Sequence, residues 1–207
     1  RSRNLAIESS DGDICVIADD DIVYEKNYRE MIQKAYEDIP QADIIVFEVP
    51  LISKINEKKF GDKAFKMGFK QSLRVASYRI TFRRKSIIEN GIKFLNVFGA
   101  GSIYNHGEEN IFIKDCRGKG LQVYYYPYQI AINHQGETTW FKGYDEKYFF
   151  DIGAIYYELF KSLYLLFGIR LLLRQRKRLK DITVFSGIKA IMAGKKEYRN
   201  KKEEENA

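Results

Sequence analysis

Cysteine and histidine are scarce in this chain, and long uncharged runs are missing. Two cysteines, Cys15 and Cys116, and two histidines, His106 and His134, are spread over 207 residues. Their spacing fits no zinc motif, which excludes a metal centre built on Cys and His. It gives no disulfide framework either, so a reducing, cytosolic setting is expected. No run of ~18 uncharged apolar residues occurs, no segment is laid out as a secretory signal, and no repeat is present. Most of the chain also lacks an excess of either charge. Residues 1–152 hold 22 basic and 22 acidic residues and residues 153–207 hold 13 and 6, so the whole net charge, 13 − 6 = +7, lies in the last quarter. That excludes a nucleic-acid groove across the main domain. It points to a basic tail with its own partner, an anionic membrane surface.

What is present is a core and an acidic turn. Hydrophobic residues make up 45% of the chain, with 15 Tyr and 14 Phe, enough for one domain plus an appendage. The apolar run Ile14-Cys15-Val16-Ile17-Ala18 predicts a strand buried on both faces, as in a mostly parallel sheet. Asp19-Asp20-Asp21 follows it directly. Ligands of open α/β sheets bind beyond the carboxyl ends of strands. Three carboxylates there repel one another unless a cation lies between them. A hard divalent cation takes oxygen ligands and completes its shell with substrate phosphates. The segment therefore points to Mg²⁺ or Mn²⁺ beside a diphosphate. The plainer alternative is an Asp-rich turn that satisfies backbone and caps a helix.

The pattern predicts a helix over 25–38 with Ile32, Ala35 and Tyr36 on its inner face, then a strand over 42–49. Residues 53–72 read as a loop or short helical insertion. A strand over 78–82 leads to a helix over 84–89, ended by Asn90-Gly91. A loop over 98–102 precedes a helix over 108–119. Short strands are expected over 121–125 and 129–133, on either side of Pro127. From Trp140 onward the chain reads as helical, frayed over 195–207. Tyr78, Arg79, Arg83 and Arg84 read as charges on a surface face.

Three segments stand in an order that carries chemistry: the Asp triplet, Gly107-Glu108-Glu109-Asn110, and His134 followed by Thr138-Thr139. Over residues 1–150 this order resembles the C-terminal part of family-2 glycosyltransferases with the GT-A fold. The stretch SRNLAIESSDGDICVIADDDI is similar to that family's approach to its Asp-x-Asp motif, and GEEN to its Glu-Asp motif. The resemblance implies an α/β fold, a partial GT-A domain with a Rossmann-like mixed sheet over 1–152, and a helical basic appendage over 153–207. It implies Asp21 and Asp19 as metal ligands, with Asp19 nearer the donor ribose. Asp20 and Arg3 fall on the donor side, and His134 on the metal or diphosphate. Glu109 matches the catalytic base, with Glu108 its neighbour. Two departures stand out. The acidic pair ends in Glu where the family has Asp, and the family's first, nucleotide-binding strands are not in this sequence. Arg1–Ser10 reads as the end of a helix with no initiator Met, so the C-terminal part of a longer enzyme is expected.

The implied reaction is inverting transfer of a sugar from a nucleoside-diphosphate donor to a hydroxyl of a saccharide or lipid-linked saccharide, in bacterial surface-polysaccharide synthesis. Such a transfer needs neutralisation of the leaving diphosphate and one base on the acceptor side. Neighbouring helix residues do not face the same way, so only one of Glu108 and Glu109 can enter a site. Acids opening a helix also favour its N-terminus without any catalysis. Two other classes fit the same residues: a basic peripheral-membrane binding module and a metal-dependent phosphoryl-transfer enzyme. In the tail, the apolar stretch 154–173 holds Glu158, Lys161 and Arg170, and Arg174, Arg176, Lys177, Arg178 and Lys180 follow. This layout suits a helix lying in a membrane interface, or one packed on the main domain with a solvated basic end. The expected location is cytoplasmic, peripheral on the inner face of the cell membrane.

Overall fold

The computed structural model describes residues 2–54, 60–134 and 141–205, so Thr138, Thr139 and Trp140 lie outside the described residues. Contacts divide the chain into two compact units, 1–94 with 112–137, and 95–111 with 138–207. The expected division at 152/153 therefore falls inside a helix of the second unit.

The first unit carries α1 (Ser2–Ser9), β1 (Ile14–Val16), β2 (Ile22–Tyr24), α2 (Tyr28–Asp38), β3 (Ile44–Glu48), β4 (Phe65–Lys66), α3 (Phe69–Ser72), β5 (Ile80–Arg83) and α4 (Arg84–Glu89). It continues with most of α5 (Glu108–Gly118), β6 (Val123–Gln129) and β7 (Ala131–Asn133). The main sheet runs β1-β5-β3-β6-β4, and β2 pairs with β7 in a two-stranded sheet. Only β3 and β6 are parallel; β1–β5, β3–β5 and β4–β6 are antiparallel. The sheet is thus mixed, and the mostly parallel arrangement expected from the run 14–18 is corrected.

All five residues of β3 are buried because both faces of the sheet are covered. Ile44 and Val46 enter one cluster with Phe82, Phe112, Ile113, Cys116 and Val123. Ile45 and Phe47 enter the other with Ile32, Ala35 and Tyr36 of α2. This is the two-residue period of a strand packed on both sides. β1 alternates likewise, with Cys15 on the first cluster and Ile14 and Val16 on the second. It is nonetheless only half-buried, because it is an edge strand whose other side pairs with nothing among the described residues.

Pro127 sits inside β6 rather than between two strands. The pairing with β3 shifts register between Val46 and Glu48, where Pro127 lies. A proline has no N–H for the ladder, and an irregularity is where a strand tolerates it. Arg79, Arg83 and Arg84 are not idle surface charges. Arg79 is ion-paired at 3.3 Å with Glu48, which is 3% exposed and also accepts from the Tyr125 hydroxyl at 2.8 Å. A buried carboxylate is tolerable only with such partners. Arg83 donates to the carbonyl of Ala42, and Arg84 to those of Ile7 and Glu8, tying α1 to the start of α4.

The second unit is built from α6 (Glu146–Phe160), α7 (Tyr164–Arg174) and α8 (Val184–Glu205), with the loop over 95–107 and the first turn of α5. The apolar stretch 154–173 is two helices, not one. Lys161 has φ +50, and one tight turn separates α6 from α7. Of the tail expected to be frayed over 195–207, the described residues 195–205 are helical, since α8 runs to Glu205. Tyr198 holds it by donating at 2.9 Å to Glu158, which also pairs with Lys161 and Lys202.

Candidate functional site

The acidic turn is placed by both sheets of the first unit. The Ile17 amide donates to Ile80 of β5, so the chain leaves the sheet edge in register, and the Ile22 amide closes the turn on the Asp19 carbonyl. β2 then pairs with β7, Ile22 opposite Asn133. This pairing brings His134 to the turn, where its backbone N–H donates to the Asp21 carbonyl at 2.8 Å. Two of the three segments singled out in the sequence are therefore adjacent. His134 is tied by its main chain, and its side chain is exposed.

The three aspartates differ. Asp20 is exposed. Asp19 is half-buried, 3.5 Å from the Arg3 guanidinium and 3.5 Å from the Ser77 hydroxyl. Both contacts are at the outer limit of hydrogen bonding and hold the carboxylate only loosely. Arg3 also lies over the Phe94 ring, 5.6 Å from its centroid, which fixes its direction. Asp21 Oδ1 is buried and has no hydrogen-bond partner among the described residues. Two tyrosines stand near the turn, Tyr24 facing the charge of Asp19 and Tyr78 those of Asp19 and Asp21. Burial, with Tyr28 and Asp19 adding, pushes the Tyr24 hydroxyl up to about 12. Burial also raises Tyr78, against the pull of Arg79 and a hydrogen bond with Asn133, with Asp19 and Asp21 raising it further.

A buried carboxylate oxygen without a donor is an expensive arrangement unless a cation binds it. The donor set at the turn is oxygen from Asp19 and Asp21, which suits a hard cation. Among the described residues no three His, Cys, Asp or Glu side chains converge as a ligand group, so Asp19, Asp21 and His134 do not form a closed trio. One or two carboxylates are the share that Mg²⁺ usually takes from a protein, with substrate phosphate and water supplying the rest. The residues present fit that group.

The second unit holds the other acidic segment. Gly107 has φ +89, and a Cβ there would lie 2.9 Å from the Ile155 side chain of α6. Gly99 has φ +111, and a Cβ there would lie 2.2 Å from Glu108 Oε2. The Glu108 carboxylate thus rests on the backbone of Gly99, in space that exists only because residue 99 has no side chain. Glu109, one position on, is half-buried and leaves the helix in another direction.

Beside this segment lies a cavity of about 500 Å³, lined in part by Asn105, His106, Phe141, Lys147, Tyr148 and Asp151. His106 stacks on Tyr148, ring centroids 5.1 Å apart at 10°. Burial, with Lys147 adding, lowers its pKa to about 4, so it is neutral at pH 7. Asp151 is 1% exposed and accepts from the Asn105 amide at 3.2 Å and from Lys147. Burial raises its carboxyl, against the opposing pull of Lys147 and Asn105. The cavity wall is therefore aromatic and polar, with its buried acid paired.

Sequence reasoning missed Ser77, Tyr78, Tyr24 and the floor of this cavity. Ser77 and Tyr78 precede a strand, and nothing in their local pattern marks them as neighbours of residue 19 or 21. Asn105 and Asp151 meet only because α6 packs on a loop more than forty residues upstream. His106 had one signal, its place next to Gly107-Glu108.

No protein-family model matches the sequence, and no curated protein matches it. Among solved structures the fold is similar to that of S. aureus TarS, a glycosyltransferase. TarS 1–349 in complex with UDP-GlcNAc matches with a TM-score of 0.58 at 13% identity, over 84% of this chain and 52% of that one. TarS 1–349 in complex with UDP matches with a TM-score of 0.56 at 13% identity, over 84% and 50%. The chain spans about half the length of these structures, and the likeness is one of fold alone, a mixed α/β sheet with helices.

Proposed function

We propose that the chain is the acceptor-side and diphosphate-side part of a nucleotide-sugar glycosyltransferase acting by inverting transfer to a hydroxyl. The observation that carries this reading is the buried Asp21 Oδ1, without a hydrogen-bond partner among the described residues, in an acidic turn on a fold that in TarS accompanies bound UDP-GlcNAc. Asp21 and Asp19 would hold Mg²⁺ or Mn²⁺, which when bound neutralises the charge of the departing diphosphate. Asp19, already near Arg3 and Ser77, faces the donor ribose in this assignment, and the exposed His134 side chain faces the diphosphate.

Glu109 is the base. An acid in the first helical turn is stabilised in its charged form, which makes it a weak base in the resting protein. It suffices, because the acceptor hydroxyl becomes acidic only as the new glycosidic bond forms. The Glu109 carboxylate then takes that proton. Glu108 holds the helix start against Gly99 and does not exchange protons. The acceptor, a saccharide free or lipid-linked, occupies the cavity beside His106. Tyr148 and Phe141 offer ring faces to a sugar, and neutral His106 can both donate to and accept from its hydroxyls.

Steady-state kinetics with UDP-GlcNAc as probe donor test this. Glu109→Gln keeps the size and hydrogen bonding of the side chain but cannot take a proton. Its kcat should fall roughly 10²- to 10⁴-fold with donor affinity unchanged. Glu108→Gln should be milder. A dead Glu108→Gln beside an active Glu109→Gln would move the base by one residue. Full activity in both would reduce the segment to a helix start. Release of inorganic phosphate without sugar transfer would favour phosphoryl transfer instead.

A further inference from the structure

The outer face of α7 has no occupant among the described residues. Its inner face is covered, with Gly168 and Leu172 buried and the Ile191 side chain of α8 within 3.1 Å of where a Gly168 Cβ would lie. The opposite face should then be polar. Instead it exposes Leu166 (63%) and Leu173 (49%), with Leu163 just ahead of the helix and Phe167 beside them. The polar residues on that face are Arg170 and Arg174, and the exposed turn Arg176-Lys177-Arg178 follows at once. From residue 159 to residue 180 the sequence has no Asp or Glu. None of Arg170, Arg174, Arg176, Lys177 and Arg178 makes an ion pair among the described residues.

We propose that the outer face of α7, with the basic turn after it, docks on an anionic lipid surface, α7 lying in the headgroup plane. Leu163, Leu166, Phe167 and Leu173 enter the acyl boundary, and the arginines reach up to lipid phosphates on long apolar stems. The charge argues for lipid over a second copy of the chain, since two such faces would bring like charges together. A transmembrane span is the other lipid arrangement. The segment Glu146–Arg174 has the length for one, with mean hydropathy 1.3. But the chain breaks at Lys161, and Glu158 is held inside the unit by Tyr198, Lys161 and Lys202, which makes α6 a core helix. This inference does not rest on the glycosyl-transfer reading.

Sedimentation of the full chain with phosphatidylglycerol–phosphatidylcholine vesicles, against pure phosphatidylcholine, tests it. Binding should need the anionic lipid and fall at least tenfold between low and high salt. The triple change Arg176→Glu, Lys177→Glu and Arg178→Glu should weaken it on the order of a hundredfold. Leu166→Ser with Phe167→Ser should weaken it at least tenfold at unchanged charge, which separates insertion from simple charge attraction. All these positions are exposed, and far-UV circular dichroism with a thermal melt verifies that each variant is folded. Equal binding to neutral vesicles, no binding to anionic ones at low salt, or a dimer in solution lost on Leu166→Glu would each overturn the proposal.

Discussion

Alanine at Gly153 or Gly194 should part the two central helices of the second unit. The two glycines face each other's helix across the α6–α8 crossing. A Cβ at Gly153 would lie 2.1 Å from the Ile191 carbonyl oxygen, and one at Gly194 would lie 1.8 Å from that of Phe150. Neither oxygen belongs to a side chain that can rotate away, so the helices must separate by roughly 1–1.5 Å to restore van der Waals distance. A gap of ~0.5–1 Å already forfeits about a quarter to a half of a contact, so a separation of this size loses about half or more of each contact along the seam. Overpacking of this kind costs about 1–3 kcal/mol and occasionally more. Against it stands the better helix propensity of alanine, ~1 kcal/mol. Because the clash is with backbone, the cost belongs at or above the top of its range, and the net loss should be about 2 kcal/mol per site. For a chain of this size that lowers Tm by roughly 4–8 °C. The double variant should lose less than the sum, since the seam opens only once. Gly118→Ala is the control: it is helical and exposed, with nothing within 4 Å of the added methyl, and it should be neutral or stabilising. Thermal melts of the four variants decide the matter. A rise in Tm for Gly153→Ala and Gly194→Ala like that of Gly118→Ala would refute the close crossing.

Two further expectations follow from the sites. Asp21→Asn should abolish Mn²⁺-dependent binding of UDP-GlcNAc in titration calorimetry, and Asp19→Asn should weaken it less. Without metal Asp21→Asn should be as stable as the parent or more so, because it removes a buried oxygen charge without a donor; unchanged metal-dependent affinity in both would remove the turn from the site. His106 should make stability fall with acid. Its folded pKa, about 4, lies below the unfolded ~6.5, so between these values the unfolded chain takes up a proton that the folded chain refuses. The loss begins below about pH 6.5 and reaches roughly 3 kcal/mol near pH 4, offset in part by Asp151, whose raised carboxyl binds its proton more readily in the fold. Urea unfolding at pH 7, 6 and 5 should show this slope flattened in His106→Phe, and an identical slope in both proteins would contradict the neutral, buried imidazole.

The parts of the fold legible in the sequence are those whose period is set by a local, two-sided environment. α2 keeps Ile32, Ala35 and Tyr36 inward as its spacing requires, and α4 ends at Asn90. β3 reads as a buried strand because clusters lie on both faces. β1 misled because an apolar run reports what touches its two faces and says nothing of its edges. Three residues can contact both clusters and still lie at the margin of a sheet. Pro127 misled in the opposite sense. A proline breaks a ladder only where its N–H is needed, and the register shift in β6 removes that need. Arg79 read as surface because its partner, Glu48, is thirty-one residues away and buried.

The site divides along the same line. Acidic residues after an apolar run and at the start of a helix are local signals, and both were visible as residue types. What makes them chemically unequal is not local. Asp21 differs from Asp19 and Asp20 because β2 pairs with β7, which draws the turn against His134 and encloses one carboxylate oxygen. Glu108 differs from Glu109 because a loop nine residues upstream presents a bare glycine to the first and not to the second. In each case a strand pairing or a missing Cβ assigns different work to neighbours of the same charge. The sequence shows the set of carboxylates; the selection within the set is made by the backbone that closes around them. The lipid-facing reading of α7 obeys the same logic from outside. Its leucines were visible as an apolar stretch, but only the packing of Gly168 and Leu172 against α8 shows which of them are left over. Residues that the fold has already used cannot also serve a partner, so the remainder, Leu163, Leu166, Phe167 and Leu173 beside arginines that make no ion pair among the described residues, is where a partner's chemistry has to be sought.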